Sequence, residues 1–226
     1  MPPPEMVGDI GLIGGGECAS SEEVEAAYGD WAEFYSTKIR AWGYDCPERA
    51  ARLLASALAA NPPPRRGLRI LDAGCGDGLQ ASSLRRLHLL RDDAELVGLD
   101  ISRPLLRLAH QKAAYTALVH VDLNRPDALA SFPDDRFDAI LCVGVLTYLH
   151  RTALLDAFAR LLRVDGVVVF TSREDRAAPW EARARALEAE GRWSLVRKTD
   201  PLPYLPGNPA YGDRVLVRLY VYRRRE

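Results

Sequence analysis

Cysteine is scarce and scattered: Cys18, Cys46, Cys75 and Cys142 form no C-x-x-C pair and no spacing suited to a zinc site. No metal is therefore expected, and a reducing, cytoplasmic setting fits this usage. Long apolar runs are also missing. No stretch approaches the roughly 18 to 20 apolar residues needed to span a bilayer, so no membrane partner is expected. The opening MPPPEMVGDIGLIGGGECASSEE has neither the basic segment nor the apolar run of a secretory signal. Residues 1–20 read as a flexible tail. An excess of either charge is absent as well, with Lys+Arg at 30 against Asp+Glu at 31. That balance removes the broad positive field that draws a protein to nucleic acid. A small-molecule partner is the expectation, with the chain acting as monomer or homodimer.

What is present is enough for one core: 226 residues, of which 48% are apolar. From Ser21 to Ala60 the pattern is helical, with Ser20 or Ser21 as start signals and a second helix opening at Asp45-Cys46-Pro47. The run Asn61-Pro62-Pro63-Pro64 stops it. The expected organisation is a tail over 1–20, a helical cap over 21–64 and a main domain over 65–226. Within that domain β-rich runs alternate with helical ones: Leu68 to Asp72, Leu79 to Leu90, Glu95 to Asp100, Arg103 to Ala114, Ala117 to Val121, Phe137 to Val143, Arg151 to Arg163 and Val167 to Ser172. Such alternation predicts an α/β fold, a parallel sheet with helices on both faces. After a helix at Pro179 to Gly191, strands Trp193 to Thr199 and Arg214 to Tyr222 should pair antiparallel. The loop between them, DPLPYLPGNPAYGD, is too rich in proline and glycine for a crossover helix.

The segment ILDAGCGDGLQ carries the most chemistry. An apolar strand runs into Asp72, then Gly74, Gly76 and Gly78, then a helix. Alternating glycines let the chain turn sharply and bring bare backbone against a ligand at the carboxyl end of a strand. A dinucleotide site wants G-x-G-x-x-G, but Leu79 stands where its last glycine belongs, and Asp77 puts a negative charge where a diphosphate would lie. S-adenosylmethionine has no phosphate, and its ammonium and sulfonium groups tolerate nearby carboxylates. A second acid, Asp100, ends the next strand in ELVGLDIS, where a carboxylate can accept both hydroxyls of a ribose.

In these features the chain from about Leu68 to Val168 resembles a class I S-adenosylmethionine-dependent methyltransferase domain of the small-molecule type. ILDAGCGDG is similar to the family's first motif, Asp100 to its ribose acid, Val121-Asp122-Leu123 to its adenine-binding segment, and Phe137-Asp138 to Leu149 to its fourth motif. The resemblance implies a Rossmann-like seven-stranded sheet in the order 3-2-1-4-5-7-6, its last strand antiparallel, and S-adenosylhomocysteine as product. It also implies cofactor contacts from Asp72, Gly74, Cys75, Gly76, Gly78, Asp100, Ile101, Asp122, Leu123 and Val143, with Asp72 and the glycine backbone at the methionine end.

The segment AAYGDWAEFYSTKI further resembles the Y-x-x-W-A-x-x-Y element of many small-molecule methyltransferases, including the Williams–Beuren-region methyltransferase-like group. That likeness implies Tyr28, Trp31 and Tyr35 as a lid over the site, although the family's acid after the second tyrosine is Ser36 here.

Candidates for a general base are Tyr148 and His150, with Tyr204 and Tyr211 in the last loop. Tyr148, Trp31, Tyr204 and Tyr211 are the expected substrate contacts. LCVGVLTYLH lacks the Asn/Asp-Pro-Pro-aromatic sequence with which similar enzymes methylate planar amino groups. Two other readings stay open: a non-catalytic cofactor-binding module, and an NAD-dependent reductase.

Overall fold

The computed structural model describes residues 20–62 and 67–225; within the first helix, residues 27–31 and 33 are described by backbone alone. The expected lid contacts of Tyr28 and Trp31 therefore lie outside the described residues, as do residues 1–19. Helix α1 (Ser21–Ala41) opens with a capping box: the Glu23 N–H donates to Ser20 Oγ, and the Ser20 N–H donates to a Glu23 carboxylate oxygen 2.7 Å away. Helix α2 (Cys46–Ala60) follows, with Pro47 in its first turn, where no backbone donor is needed.

Strands β1 (Arg69–Ala73), β2 (Glu95–Asp100), β3 (Ala117–His120), β4 (Phe137–Cys142) and β5 (Leu162–Arg173) pair in parallel, joined by α3 (Leu79–Arg86), α4 (Arg103–Gln111) and α5 (Leu154–Leu161). After α6 (Ala177–Ala189) come β6 (Trp193–Lys198), β7 (Leu202–Leu205) and β8 (Gly212–Arg224). The sheet runs β3-β2-β1-β4-β5-β8-β6, with β8 antiparallel to both neighbours. This is the expected order with one strand added. Strand β7 lies inside the proline-rich segment read from sequence as an irregular loop. It forms because the long β8 extends past β6, leaving a free edge for Leu202–Leu205. Pro203 is tolerated there beside a register shift, as proline is at sheet edges.

Both faces of the sheet are covered, as a parallel sheet requires. Successive residues of β1 serve opposite faces. Leu71 packs with Phe137, Phe158, Phe170 and Trp193, whereas Ile70 packs with Leu54, Leu84, Val169 and Leu219. Helix α2 buries Ala50, Ala51 and Leu54 in that second layer, so it belongs to the wall of the sheet, while α1 reaches over the strand ends.

In β2, Gly98 stands opposite Asp72. A Cβ there would lie 2.7 Å from Leu118 and 2.8 Å from the Tyr115 ring; glycine is what lets Tyr115 lie across the strand. Gly98→Ala should therefore cost about 1–3 kcal/mol through overpacking, read as a fall in Tm of roughly 2–4 °C per kcal/mol for a chain of this size. An unchanged Tm would mean that Tyr115 and Leu118 shift at no cost.

Candidate functional site

The carboxyl ends of β1 to β4 open into a cleft enclosing about 650 Å³, the solvent at its mouth included. Gly74 and Gly76 wall it at the turn after β1, and Asp100 and Ile101 at the end of β2. Asp122, Leu123 and Asn124 follow β3; Val143 to Val145, Tyr148 and Leu149 follow β4. Helix α1 closes the remaining side with Ser21, Val24 and Tyr35.

The turn after β1 is folded back onto β2. The N–H groups of Gly74 and Cys75 both donate to the Leu99 carbonyl, at 2.7 and 2.9 Å. Gly74 has φ +80°, and a Cβ on it would stand 2.2 Å from Val145, so only glycine lets the turn close against the loop after β4. Next in the turn, the Gly76 N–H donates to Asp100 Oδ2 at 2.8 Å, while Ser102 N–H donates to Oδ1 at 2.8 Å. Each carboxylate oxygen has two acceptor directions, so each keeps one for a ligand. Burial pushes the Asp100 carboxyl upward, opposed by the Ser102 and Gly76 amides. Asp122 Oδ1 accepts from the Asn124 N–H at 2.8 Å.

Asp72 is 1% exposed. Tyr115, reaching across Gly98, donates its hydroxyl to Asp72 Oδ2 at 2.7 Å, and burial pushes the Asp72 carboxyl up to about 7. Asp77 is not the bare charge expected from the sequence. Its Oδ2 takes the Lys112 ammonium at 3.2 Å and the Ser36 hydroxyl. Ser36, the departure from the family pattern in α1, thus ties that helix to the glycine turn.

Four tyrosines meet beside the cleft. Tyr35 and Tyr148 line it; Tyr44 lies behind, its ring edge-on to Tyr204 at 5.5 Å, and Tyr204 stacks on Tyr211 at 6.2 Å. Strand β7 carries Tyr204. Burial pushes the Tyr35, Tyr44 and Tyr204 phenols upward, and proximity to one another and to Tyr148 adds to it. They stay protonated and can donate, not act as bases. Neither Tyr204 nor Tyr211 is among the cleft-lining residues.

His150 is not brought to the site. Its N–H donates to Asn124 Oδ1 at 2.9 Å, the residue is exposed, and it is not among the cleft-lining residues, although Leu149 before it is. Gly78 also stands off the cleft, its Cα facing Tyr115 and Lys112. Cys75 lines only a smaller recess beneath the turn. Sequence reasoning missed Tyr115, Lys112, Asn124 and Tyr44. Of these only Asn124, directly after Asp122-Leu123, carried a positional signal. Among the described residues no group of three or more His, Cys, Asp or Glu is placed to hold a metal ion, and no helix is long and apolar enough to cross a membrane.

A methyltransferase-domain family matches residues 71–170, the stretch from β1 to the middle of β5 that builds this cleft. Residues 71–170 thus form a methyltransferase domain, and the sheet around it has the Rossmann-like methyltransferase fold. The chain is 30% identical over 171 residues to methyltransferase-like protein 27 of Homo sapiens, covering 74% of this chain and 66% of that one. It is 31% identical over 110 residues to a ubiquinone biosynthesis O-methyltransferase of Neisseria meningitidis, covering 47% of this chain and 44% of that one. The chain thus spans less than two thirds of the length of either of these curated relatives, 44% of one and 66% of the other. The fold of magnesium protoporphyrin IX methyltransferase from Synechocystis, solved with bound SAM, superposes with a TM-score of 0.60 at 19% identity, over 92% of this chain and 99% of that one.

The methyltransferase core keeps Asp72 as a buried, hydrogen-bonded acid, and this makes its stability pH-dependent. Its folded pKa lies above the ordinary carboxylate value of 3.8. The folded state then binds the proton more tightly than the unfolded one, so Asp72's contribution is intact below about pH 4 and is lost as pH rises towards about 7. Asp72→Asn should flatten the fall in urea-unfolding stability between about pH 5 and pH 8. An equally steep fall in the variant would place the titrating group elsewhere.

Proposed function

We propose that this chain transfers the methyl group of S-adenosylmethionine to a hydroxyl oxygen of a small, largely apolar acceptor, leaving S-adenosylhomocysteine, the methylated oxygen and a proton. The observation that carries the cofactor half is Asp100: a buried carboxylate with each oxygen pinned by one backbone N–H and each still able to accept one hydroxyl. The 2′- and 3′-hydroxyls of a ribose match that pair. Asp122 with Leu123 would hold the adenine, and Ile101 and Val143 would pack on the nucleoside and the thioether chain. The name of the Neisseria relative supports oxygen as the accepting atom, and the apolar lining beside Tyr148 supports a ring-bearing acceptor.

S-adenosylmethionine supplies an already activated methyl group, so the protein's work is to hold the acceptor in line and exclude water. Positioning of that sort is worth about 7–11 kcal/mol, against roughly a hundredfold to ten-thousandfold in rate from a general base. Tyr35 on α1 and Tyr148 after β4 both line the cleft and can orient an acceptor oxygen by donation. Tyr44 and Tyr204 stiffen that wall from behind; the Tyr44 hydroxyl lies 2.6 Å from where a Cβ on Gly144 would stand.

Titration calorimetry tests the cofactor half. S-adenosylhomocysteine should bind, Asp100→Ala should weaken it by about a hundredfold as two charge-assisted hydrogen bonds are lost, and NADH should not compete. Failure of the folded wild-type chain to bind S-adenosylhomocysteine would sink the reading. The catalytic half has its own signature: with burial keeping the Tyr35 phenol protonated and no enzymic base in the reading, kcat/KM should rise with pH through the acceptor's own ionisation. Two phenolic acceptors of different pKa should then give two different inflections; one shared inflection would reveal an enzymic base.

A further inference from the structure

The loop after β4 carries a glycine where two phenol hydroxyls meet. Gly144 lines the cleft and has φ +77°; its N–H donates to Thr171 Oγ1 at 2.7 Å, which pins the loop to β5. A Cβ on Gly144 would stand 2.6 Å from the Tyr44 hydroxyl and 3.4 Å from the Tyr204 hydroxyl. Two phenols from distant stretches of chain thus reach the bare side of one cleft-wall residue. Tyr44 also lines the space that continues from the cleft past Val143, so a ligand can reach it. The two rings hold each other edge-on, yet neither hydroxyl has a hydrogen-bond partner among the described residues.

A secluded hydroxyl left unpaired is costly, and two donors converging on one place suit a single strong acceptor. An oxygen that carries negative charge takes both at once. The charges around the pair favour such an oxygen. The carboxylates of Asp77 and Asp100 act on Tyr35, whereas the groups that act most on Tyr44 and Tyr204 are one another, Tyr35, Tyr148, Tyr211 and the Cys46 thiol. Beyond Tyr204, the Arg173 guanidinium lies 5.4 Å over the Tyr211 ring and acts on both phenols, its charge partly offset by Asp175 at 2.6 Å.

We propose that the Tyr44 and Tyr204 hydroxyls, reaching the cleft across Gly144, form an oxyanion hole that holds the acceptor oxygen as its anion. The inference rests on the function proposed above and names the groups that stand in for a base. The acceptor hydroxyl gives its proton to water; its oxygen then bonds to the methyl carbon as the methyl–sulfur bond breaks, and that electron pair stays on sulfur as a neutral thioether. With Val143 against the thioether chain, Gly144 beside it borders the methyl group. A side chain at position 144 would push the phenols away from the oxygen they serve.

The test titrates 4-nitrophenol, whose anion is coloured, into the full chain loaded with S-adenosylhomocysteine. The sulfur of that ligand is neutral, so a fall in the probe's pKa reports the protein's own donors. Bound to the wild-type chain, the probe should ionise at least about one pH unit below its free value. Tyr44→Phe and Tyr204→Phe, which keep the rings, should each give back part of that shift, and the double variant all of it. Affinity for S-adenosylhomocysteine should hold to within about twofold, which certifies the fold; should one variant not fold, the other decides. A probe that does not bind, a wild-type pKa that is not lowered, phenylalanine variants that weaken probe binding with the shift intact, or loss of the shift in Tyr148→Phe alone would overturn the assignment. A chain that does not bind S-adenosylhomocysteine would instead refute the cofactor reading. Methyl transfer from S-adenosylmethionine to a probe whose pKa is not lowered would leave the proposed function standing and remove the oxyanion hole.

Discussion

The end of β2 holds the turn that follows β1. The Leu99 carbonyl takes two N–H groups from that turn, and the Asp100 side chain takes a third. Everything at the cleft is registered to this junction. Because β1 and β2 pair with Asp72 opposite Gly98, the strand beside Asp72 is bare where Tyr115 must cross. A one-residue slip would put the side chain of Val97 or Leu99 in that place and turn every core residue of the strand to the wrong face. Neighbouring parallel strands with a crossover between them thus do more than build a wall; they bring a glycine, a tyrosine and an acid from three separate stretches of chain into one contact.

That contact marks the limit of what the sequence could say. Strand–helix alternation made the parallel sheet legible, and the spacing of Asp72, Gly74, Gly76 and Asp100 made the turn and the second acid legible, because those features are local and periodic. The partners of the acids were not. Tyr115 looks like any residue before a strand, and Lys112 like a solvated helix end; only the fold shows that each reaches a carboxylate. Strand β7 was hidden for a related reason. Its proline and glycine content argues for a loop, and the free edge of β8 that recruits it is a property of the sheet, not of the segment. His150 shows the opposite case: a titratable residue next to a motif is easily given chemistry, yet the residue is exposed and meets the cleft-lining Asn124 through its backbone N–H.

Three buried carboxylates lie within this one turn and its neighbour, and each is accommodated differently. Asp72 has a phenol and a pKa pushed up to about 7, Asp77 has an ammonium and a hydroxyl on one oxygen, and Asp100 has backbone amides on both. Burying a carboxylate is costly unless it is paired, so this concentration is not a neutral packing choice. It creates a region hostile to a phosphate and receptive to a cation. The argument from a bare charge at Asp77 was too simple, since Lys112 offsets it, but the conclusion that the turn disfavours a dinucleotide survives on Leu79 and on the two acids flanking it.

Opposite these acids stands a wall of phenols. Tyr35 comes from α1, Tyr44 from the link between the first two helices, Tyr148 from the turn after β4 and Tyr204 from β7. Drawing four rings from four elements makes the wall depend on the whole fold being assembled, α1 included, which Ser36 pins to Asp77 and His120 pins through Glu25 at 3.2 Å. The cluster raises its own members' pKa values, so each ring added makes the others poorer bases and leaves them as donors. A site built this way cannot gain a phenolate base by adding another tyrosine. It can gain only orientation and exclusion of water, which is what transfer from an already activated methyl donor requires.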